Sequence, residues 1–412
     1  MSATLAVQPT TAASARAARS ANVSTPPRNV AVDAYRGLVM LLMMGEVMQF
    51  AVVAHAHPDS LFWSILAYNQ THVEWAGMSL HDTIQPSFTF LVGVALPYSI
   101  ASRVSLGQSF ARRLLHTIWR SLVLIALGIF LRSTHSSQTN FTFEDTLTQI
   151  GLGYTFVWLL AYCRPRWQWT ALGTVLFGYW LAWALYPPPG PSFDYAAVGV
   201  SADWHYNFTG FLSHWNKNSN LGQAFDFWFL NILPRPSRFL FNGGGYLTLS
   251  FIPTMGTMLL GLRAGEWFRS AAPKIPFRRI LTAAALLCAA GLALHFAHIC
   301  PIVKRIWTPA WTLWSGGVCF AFLAVFSWII DVKQYRRWAF PLVVVGMNSI
   351  AAYMIAHLWE DFLIENLHIN FGYQIFRVFG PGFEPFLLGL AVMLIYWATL
   401  YWMYRKRLFI RI

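Results

Sequence analysis

Long apolar runs, separated by short polar segments, dominate the chain from residue 37 onward. A helix needs roughly 20 apolar residues to cross the hydrocarbon core of a bilayer. Ten runs approach that length, at 37–56, 83–102, 114–131, 147–163, 168–187, 246–264, 280–299, 309–330, 341–358 and 384–404. The pattern predicts an all-α polytopic membrane helix bundle with about ten transmembrane helices.

The composition agrees with a membrane protein. The chain has 412 residues, of which 56% are hydrophobic and only 11% charged, whereas soluble domains carry roughly 25% charged residues. Its four cysteines form no C-x-x-C pair, which argues against a disulfide framework or a zinc site. The length matches one membrane domain without a large soluble partner domain.

The distribution of basic residues predicts the orientation. Cytoplasmic loops of membrane proteins are enriched in Lys and Arg. With a cytoplasmic N-terminus, 21 of the 29 Lys and Arg residues fall in inner segments, seven fall in outer segments, and Arg120 lies within a span. Both termini are therefore predicted to be cytoplasmic, and the net charge of +13 gives no reason to expect a nucleic-acid partner.

The chain is predicted to have two parts. Residues 1–30, rich in Ala, Ser and Thr, are expected to form a disordered cytoplasmic tail rather than a signal peptide. Residues 31–412 form the membrane domain, with one long outer loop at 188–245. Trp204, Trp215 and Trp228 in that loop either stack on sugar rings or rest at the membrane interface, where Trp is common.

Candidate chemistry is concentrated beside the second apolar run. His72, Glu74, His81 and Asp82 lie within twelve residues, directly before it. Ionisable groups at the mouth of a membrane helix are costly and suggest a functional site, although histidines in an outer loop can also lie in the headgroup layer. Glu46 is the one acid within an apolar run, which makes it a further candidate.

Other candidates lie elsewhere in the bundle. Arg113, His116 and Arg120 share one face of the third predicted helix, and Arg suits phosphate groups, either of a ligand or of lipids. Asn348 is predicted to lie inside the ninth helix, with His357 near its outer end. No carboxylate or Cys stands at a diagnostic metal-ligand spacing from the histidines, so no metal is predicted.

These segments resemble, in order, the membrane domain of the heparan-α-glucosaminide N-acetyltransferase family and its bacterial relatives. The resemblance covers roughly residues 30–405. It rests on the segments DAYRGLVMLLMM, HVEWAGMSLHDTIQPSFTFLVGVALPYS, WRSLVLIALGIFLR, TLTQIGLGYTF, IPTMGTMLLGLRAGEW, WTPAWTLWSGG and PLVVVGMNSIAAYMIAHL. The family moves an acetyl group from cytosolic acetyl-CoA to a terminal glucosamine across the membrane.

The resemblance implies roles for individual residues. His72, ahead of a W-x-G-x-x-x-x-D stretch, matches the family's catalytic histidine. Arg120 matches the arginine of its W-R-S motif and Asn348 the asparagine of G-M-N-S. The chain departs from the family pattern at Val47, which replaces an Asn, at Ile150, which replaces the Arg of a Q-R pair, and at 242–245, where NGGG replaces an acidic D-P-E-G. These departures bear on the acceptor more than on the donor.

The sequence thus predicts a transmembrane acyltransferase that moves acetyl from acetyl-CoA to an amino sugar or glycan on the outer side, in the cytoplasmic membrane of a bacterium. Two alternatives are an amino-sugar transporter and an O-acyltransferase of an envelope polysaccharide. A homodimer is compatible with this interpretation, but the sequence does not determine the oligomeric state.

The predicted catalytic residues are His72 as general base, Asp82 and Glu46. The predicted donor-binding residues are Arg36, Arg113, Arg120 and Asn348. The predicted acceptor-binding residues are Glu74, Gln149 and His357.

Overall fold

The structure is a computed structural model that describes residues 29–410. The predicted cytoplasmic tail lies outside the described residues except for Asn29, whose side chain caps the first helix, and Val30, where that helix begins. Helices account for the regular structure of the described part, and its only β-type pairing is an isolated bridge between Ala76 and Val303. The predicted all-helical bundle is therefore confirmed.

Fourteen α-helices follow one another between residues 29 and 410. They are α1 (Val30–Met44), α2 (Phe50–Ala56), α3 (Leu61–Gln70), α4 (Ile84–Ser105), α5 (Phe110–Ser133), α6 (Thr146–Leu160), α7 (Pro165–Leu185), α8 (Leu221–Phe229), α9 (Phe251–Ala271), α10 (Phe277–Phe296), α11 (Pro309–Ser327), α12 (Phe340–Gly346), α13 (Ser349–Phe371) and α14 (Glu384–Arg405).

Each of the ten predicted spans overlaps one of these helices or a bent pair of them. Within residues 29–410, five helices are long and apolar enough to cross a membrane, and the number is seven if each bent pair counts as one span. The structure is thus that of a polytopic helical bundle. The number ten and the cytoplasmic termini remain predictions.

The first bent pair joins α1 to α2 at an angle of 45°. Residues Gly45–Met48 form a short 3₁₀ turn, and Gln49 has a left-handed backbone with φ of 46°. The Gln70 side chain accepts from the Phe50 amide at 2.7 Å and donates to the Gly45 carbonyl. A side chain from α3 thus satisfies backbone groups that the break releases, as a break within a membrane requires.

The second bent pair joins α12 to α13 at 69°, and it corrects the predicted position of Asn348. Asn348 lies in the break, with φ of −125° and ψ of 40°, and not inside a helix. Its amide donates to the Leu408 carbonyl at 2.9 Å and accepts from the Ile410 amide at 3.2 Å. The buried Asn348 side chain thus joins the break between α12 and α13 to the segment that follows α14.

Glycines bring α4 and α9 into backbone contact. A Cβ at Gly93 would collide with the Met258 carbonyl oxygen, and one at Gly261 would collide with that of Phe90. Close approach through small residues is the usual way in which membrane helices gain packing contacts. This helix contact fixes the position of α4, and the candidate residues lie directly before the first residue of α4.

A second hydrophobic core, rich in aromatic residues, is separate from the main one. It joins Trp75, Trp183, Trp215, Trp307 and Trp311, all almost fully buried. The predicted long loop supplies Trp215, and this stretch also contains α8. The prediction that Trp215 stacks on sugar rings is therefore wrong, because the core completely covers the Trp215 ring. Trp228, in the same loop, is exposed.

Candidate active site

Two loops that are distant in sequence are paired beside the start of α4. The bridge between Ala76 and Val303 and a 3.0 Å hydrogen bond from the Gly77 amide to the Ile302 carbonyl join segment 71–80 to segment 300–308. Arg305 strengthens this pairing by donating to the Val73 carbonyl at 3.3 Å. The pairing fixes the loop that carries His72 against the loop that carries Lys304.

His72, Asp82 and Lys304 form the centre of the site. The His72 Nδ1 atom lies 2.8 Å from Asp82 Oδ1, and Lys304 Nζ lies 3.2 Å from the same oxygen. Lys304 Nζ also lies 3.0 Å from His72 Nδ1 and 3.4 Å from Nε2. The Asp82 and Lys304 side chains are 1% and 5% exposed, whereas that of His72 is 34% exposed.

Asp82 is held by hydrogen bonds at both oxygens. Its Oδ2 accepts from the Val73 amide at 3.2 Å and from the Ser79 amide and hydroxyl, each at 3.0 Å. These donors leave Oδ1 to His72 and Lys304. Because an ionised carboxylate only accepts hydrogen bonds, the 2.8 Å contact assigns Nδ1–H of His72 as the donor to Oδ1 and leaves the lone pair of the imidazole at Nε2.

The surroundings favour the neutral form of His72. Burial lowers the pKa of His72 below its usual value, and the Lys304 ammonium adds to that effect. The hydrogen bond and charge of Asp82 act in the opposite direction but do not reverse it. His72 is therefore an unprotonated base near neutral pH.

A second histidine–carboxylate pair lies next to the first. His81 Nε2 contacts Glu46 Oε1, and the His81 ring centroid is 4.5 Å from that of His72. Glu46 was predicted within an apolar run, but it lies in the 3₁₀ turn after α1 with its side chain 55% exposed. The turn directs this carboxylate into a cavity instead of into the helix packing.

The cavity has a volume of about 510 Å³, within the range of small-molecule sites. It is lined by side chains from α1, α4, α5, α6 and α13 and from the intervening loops. The lining residues are Met40, Met43, Glu46, His72, His81, Ile84, Gln85, Phe88, Arg132, Glu144, Thr146, Asn242, Gly244, Tyr246, Lys304, Tyr353 and His357. Charged, imidazole and apolar groups therefore face the same space.

Arg132 supplies a further cation on the cavity wall. Its Nε lies 3.3 Å from Oδ2 of Asp145, which is fully buried and also accepts from the Tyr353 hydroxyl at 3.0 Å. Glu144 lies beside it, and burial raises the pKa of Glu144 while Arg132 opposes that shift. His357, stacked on Tyr353 with ring centroids 4.3 Å apart, completes this side.

Glu46, His72 and His81 are also the one group among the described residues that could hold a metal ion. One ligand atom of each lies within 4.8 Å of the others. The Lys304 ammonium, 3.4 Å from His72 Nε2, repels a divalent cation at that nitrogen. The geometry fits a cluster for proton transfer better than a metal centre.

Two predicted acceptor-binding residues lie outside the cavity wall. Glu74 accepts from the Trp204 indole at 3.1 Å. The amide of Gln149 donates to the carbonyls of Phe143, Leu247 and Thr248. Both side chains are thus used to hold loops, and of the predicted acceptor-binding residues only His357 lines the cavity.

The predicted donor-binding residues also lie away from the cavity. Arg120 Nη1 donates to the Tyr154 hydroxyl at 3.1 Å, and Arg113 lies over the Tyr162 ring. Arg36 forms an ion pair with Asp33 at 3.3 Å, while Asn348 binds the segment after α14. Arg120 is twelve residues from Arg132 on α5, which is about 18 Å along a helix that rises 1.5 Å per residue.

The sequence did not identify Lys304 or Arg132 as site residues, and it pointed to His81 only as a member of the polar stretch before the second apolar run. Lys304 and Arg132 were counted only as charges of outer segments, since nothing in the sequence shows that loops 232 residues apart will pair. One signal was present: Lys304 and Arg305 together interrupt an apolar stretch in CPIVKRIW, and charged residues are rarely buried unless they are paired.

No protein-family model matches the chain. The chain is 24% identical over 377 residues to heparan-α-glucosaminide N-acetyltransferase of Homo sapiens, a match that covers 82% of this chain and 54% of that protein. It is 23% identical over 428 residues to the Mus musculus protein of the same name, with 92% and 60% covered. The chain spans between a half and two thirds of the length of these curated relatives. The chain is therefore similar to the heparan-α-glucosaminide N-acetyltransferases along most of its own length, as its ordered motifs predicted.

Proposed function

We propose that the chain is a transmembrane acyltransferase that moves an acetyl group from cytosolic acetyl-CoA to an amino sugar or glycan on the outer side of the membrane. His72 acts as the general base. The observation that carries the proposal is the position of this neutral imidazole, hydrogen-bonded to Asp82, on the wall of a cavity. The similarity to N-acetyltransferases supports the reaction class.

The reaction requires an unprotonated amine and a place for its proton. The amine nitrogen attacks the thioester carbonyl carbon, and the carbon–sulfur bond breaks. The amine proton passes to Nε2 of His72 and from there to the sulfur of the departing CoA, so that His72 returns to its neutral form. Asp82 keeps the proton on Nδ1 and stabilises the imidazolium that forms in between.

The residues present fit a thioester donor with a charged nucleotide. The cavity of about 510 Å³ suits the reacting groups, and the phosphates would be held elsewhere. Buried guanidinium nitrogens of Arg113 and Arg120 have no hydrogen-bond partner among the described residues. Such donors are rare in folded proteins, and phosphate oxygens would satisfy them, which supports the predicted donor-binding role of these arginines.

Transfer of label from acetyl-CoA tests the proposal. Purified protein is incubated with acetyl-labelled CoA and glucosamine, or with a polysaccharide that offers only hydroxyl groups, and the products are treated with alkaline hydroxylamine. A hydroxylamine-resistant acetyl amide is expected; a labile acetyl ester would support the O-acyltransferase alternative. Glucosamine uptake into proteoliposomes without any acetylated product would contradict the proposal and favour the transporter.

A further inference from the structure

We propose that Lys304 is a positioning residue that keeps His72 in its neutral form. The proposal rests on the function proposed for His72 and adds the residue that makes this histidine a base. Nothing in the ordered motifs before α4 assigns this role, because Lys304 comes from the loop before α11.

The fold places the Lys304 ammonium with several independent contacts. The bridge at Val303 joins the residue before it to segment 71–80. Arg305, the residue after it, donates to the carbonyls of Gly244 at 2.7 Å and Val73 at 3.3 Å. The Thr308 hydroxyl then accepts from the Val303 amide at 3.1 Å. Such a loop holds a side chain in one position and leaves the ammonium little freedom to turn away.

The ammonium acts on both partners of the imidazole. It lies 3.2 Å from Oδ1 of Asp82, the oxygen that also binds His72. It lies 3.0 Å and 3.4 Å from the two ring nitrogens. A lysine that only neutralised Asp82 would not need to lie against the ring, and at this distance its charge disfavours a second positive charge on His72.

The two charged neighbours affect His72 in opposite directions. Lys304 lowers the pKa of His72, whereas Asp82 raises it. Burial lowers the pKa of Lys304 itself, and Asp82 opposes that shift. The other titratable or charged groups around the cluster, on the elements packed against it, are His81, Glu46, Tyr246, Arg305, Arg132, Glu144 and His357.

The test measures protonation of His72 without any substrate. Diethylpyrocarbonate modifies only the neutral imidazole, so the rate of His72 modification, followed by peptide mass spectrometry across pH, reports its protonation midpoint. Lys304→Met should raise the midpoint by about one pH unit or more, the size expected for loss of a nearby charge. Asp82→Asn should lower it, because the group that favours imidazolium is lost.

Three further variants separate this role from a structural one. Lys304→Arg keeps the charge and should retain the wild-type midpoint. Lys217→Met removes a lysine that lies over the Trp204 ring at the same end of the molecule and should leave the midpoint unchanged. His135, with a side chain 77% exposed, serves in every sample as the reference histidine.

If Lys304→Met does not fold, because Asp82 is left buried without its cation, the double variant Asp82→Asn/Lys304→Met is compared with Asp82→Asn. A higher midpoint in the double variant supports the role of Lys304. Equal midpoints in either comparison overturn it. Failure of the acyltransferase proposal itself would be seen only in the label-transfer assay, since this measurement needs no donor or acceptor.

Discussion

At the residue scale, the chemistry of the site depends on how charge is distributed around one imidazole. Asp82 holds the proton on Nδ1 of His72, and Lys304 lies against the same ring. Burial and the ammonium keep the pKa of His72 below its usual value. A base with a lowered pKa stays unprotonated at neutral pH, and its activity is lost only as the pH falls through that lowered value.

The residue-scale prediction for the donor concerns Arg120. Loss of a charge-assisted hydrogen bond costs about 1.5–3 kcal/mol, so Arg120→Ala should weaken CoA binding by roughly tenfold or more, as measured by calorimetry in detergent. Arg112→Ala is the matched control, because Arg112 is also on α5, about two turns before Arg120, but is exposed. Unchanged CoA affinity in a folded Arg120→Ala protein would remove Arg120 from the donor site.

Part of the site could be predicted at this scale and part could not. The short polar stretch before α4 pointed to His72 and Asp82, since both lie within one local segment. Lys304 was not predicted because its role depends on a tertiary contact between two loops. Gln149 was predicted to bind the acceptor, and that role stays a prediction; the hydrogen bonds from its amide nitrogen to the Leu247 and Thr248 carbonyls could not be predicted from the sequence.

At the element scale, breaks in helices bring polar groups to the cavity. The turn between α1 and α2 exposes Glu46 to the cavity, and the break at Asn348 begins the helix that carries Tyr353 and His357. Hydropathy predicted the helices on either side of both breaks. It did not predict the breaks, because these involve contacts between distant segments: Gln70 of α3 binds backbone groups at the first break, and Asn348 binds the segment after α14 at the second.

Helix packing makes its own prediction. Gly261→Ala should destabilise the protein by about 1–3 kcal/mol, the usual effect of overpacking, because the new methyl group would collide with the backbone of α4 at Phe90. Gly173→Ala on α7 is the control, since no atom lies within 4 Å of a Cβ there. Thermal unfolding in detergent should show a lower midpoint for Gly261→Ala only. Equal midpoints would contradict the close packing of α4 and α9.

At the scale of the whole molecule, the site lies at the end that the charge pattern assigns to the outside. His72, Lys304 and Glu144 are in segments predicted to be outer. Arg113 lies near the start of α5, at the end of this helix opposite to Arg132 of the cavity wall. This arrangement suits a donor from the cytosol and an acceptor from outside. It depends on the orientation, which was predicted only from the 21 inner and seven outer basic residues.

Labelling of cysteines tests the orientation. Ala202→Cys, in an exposed part of the predicted outer loop, should react in intact cells with a reagent that cannot cross membranes. The natural Cys163 is also exposed and is the last residue of the predicted span 147–163, at its inner end, so it should react only after permeabilisation. The reverse pattern would invert the orientation and place His72 on the cytosolic side.

The central claim is that His72 is the base of an acetyl transfer, and turnover of His72→Ala tests it most directly. General-base catalysis contributes typically 10²–10⁴-fold, so the initial rate of acetyl transfer by the purified variant should fall by about that factor. Binding of acetyl-CoA should stay close to wild type, and His135→Ala, which changes an exposed histidine, should keep the wild-type rate. A His72→Ala protein that transfers acetyl groups as fast as wild type would contradict the account.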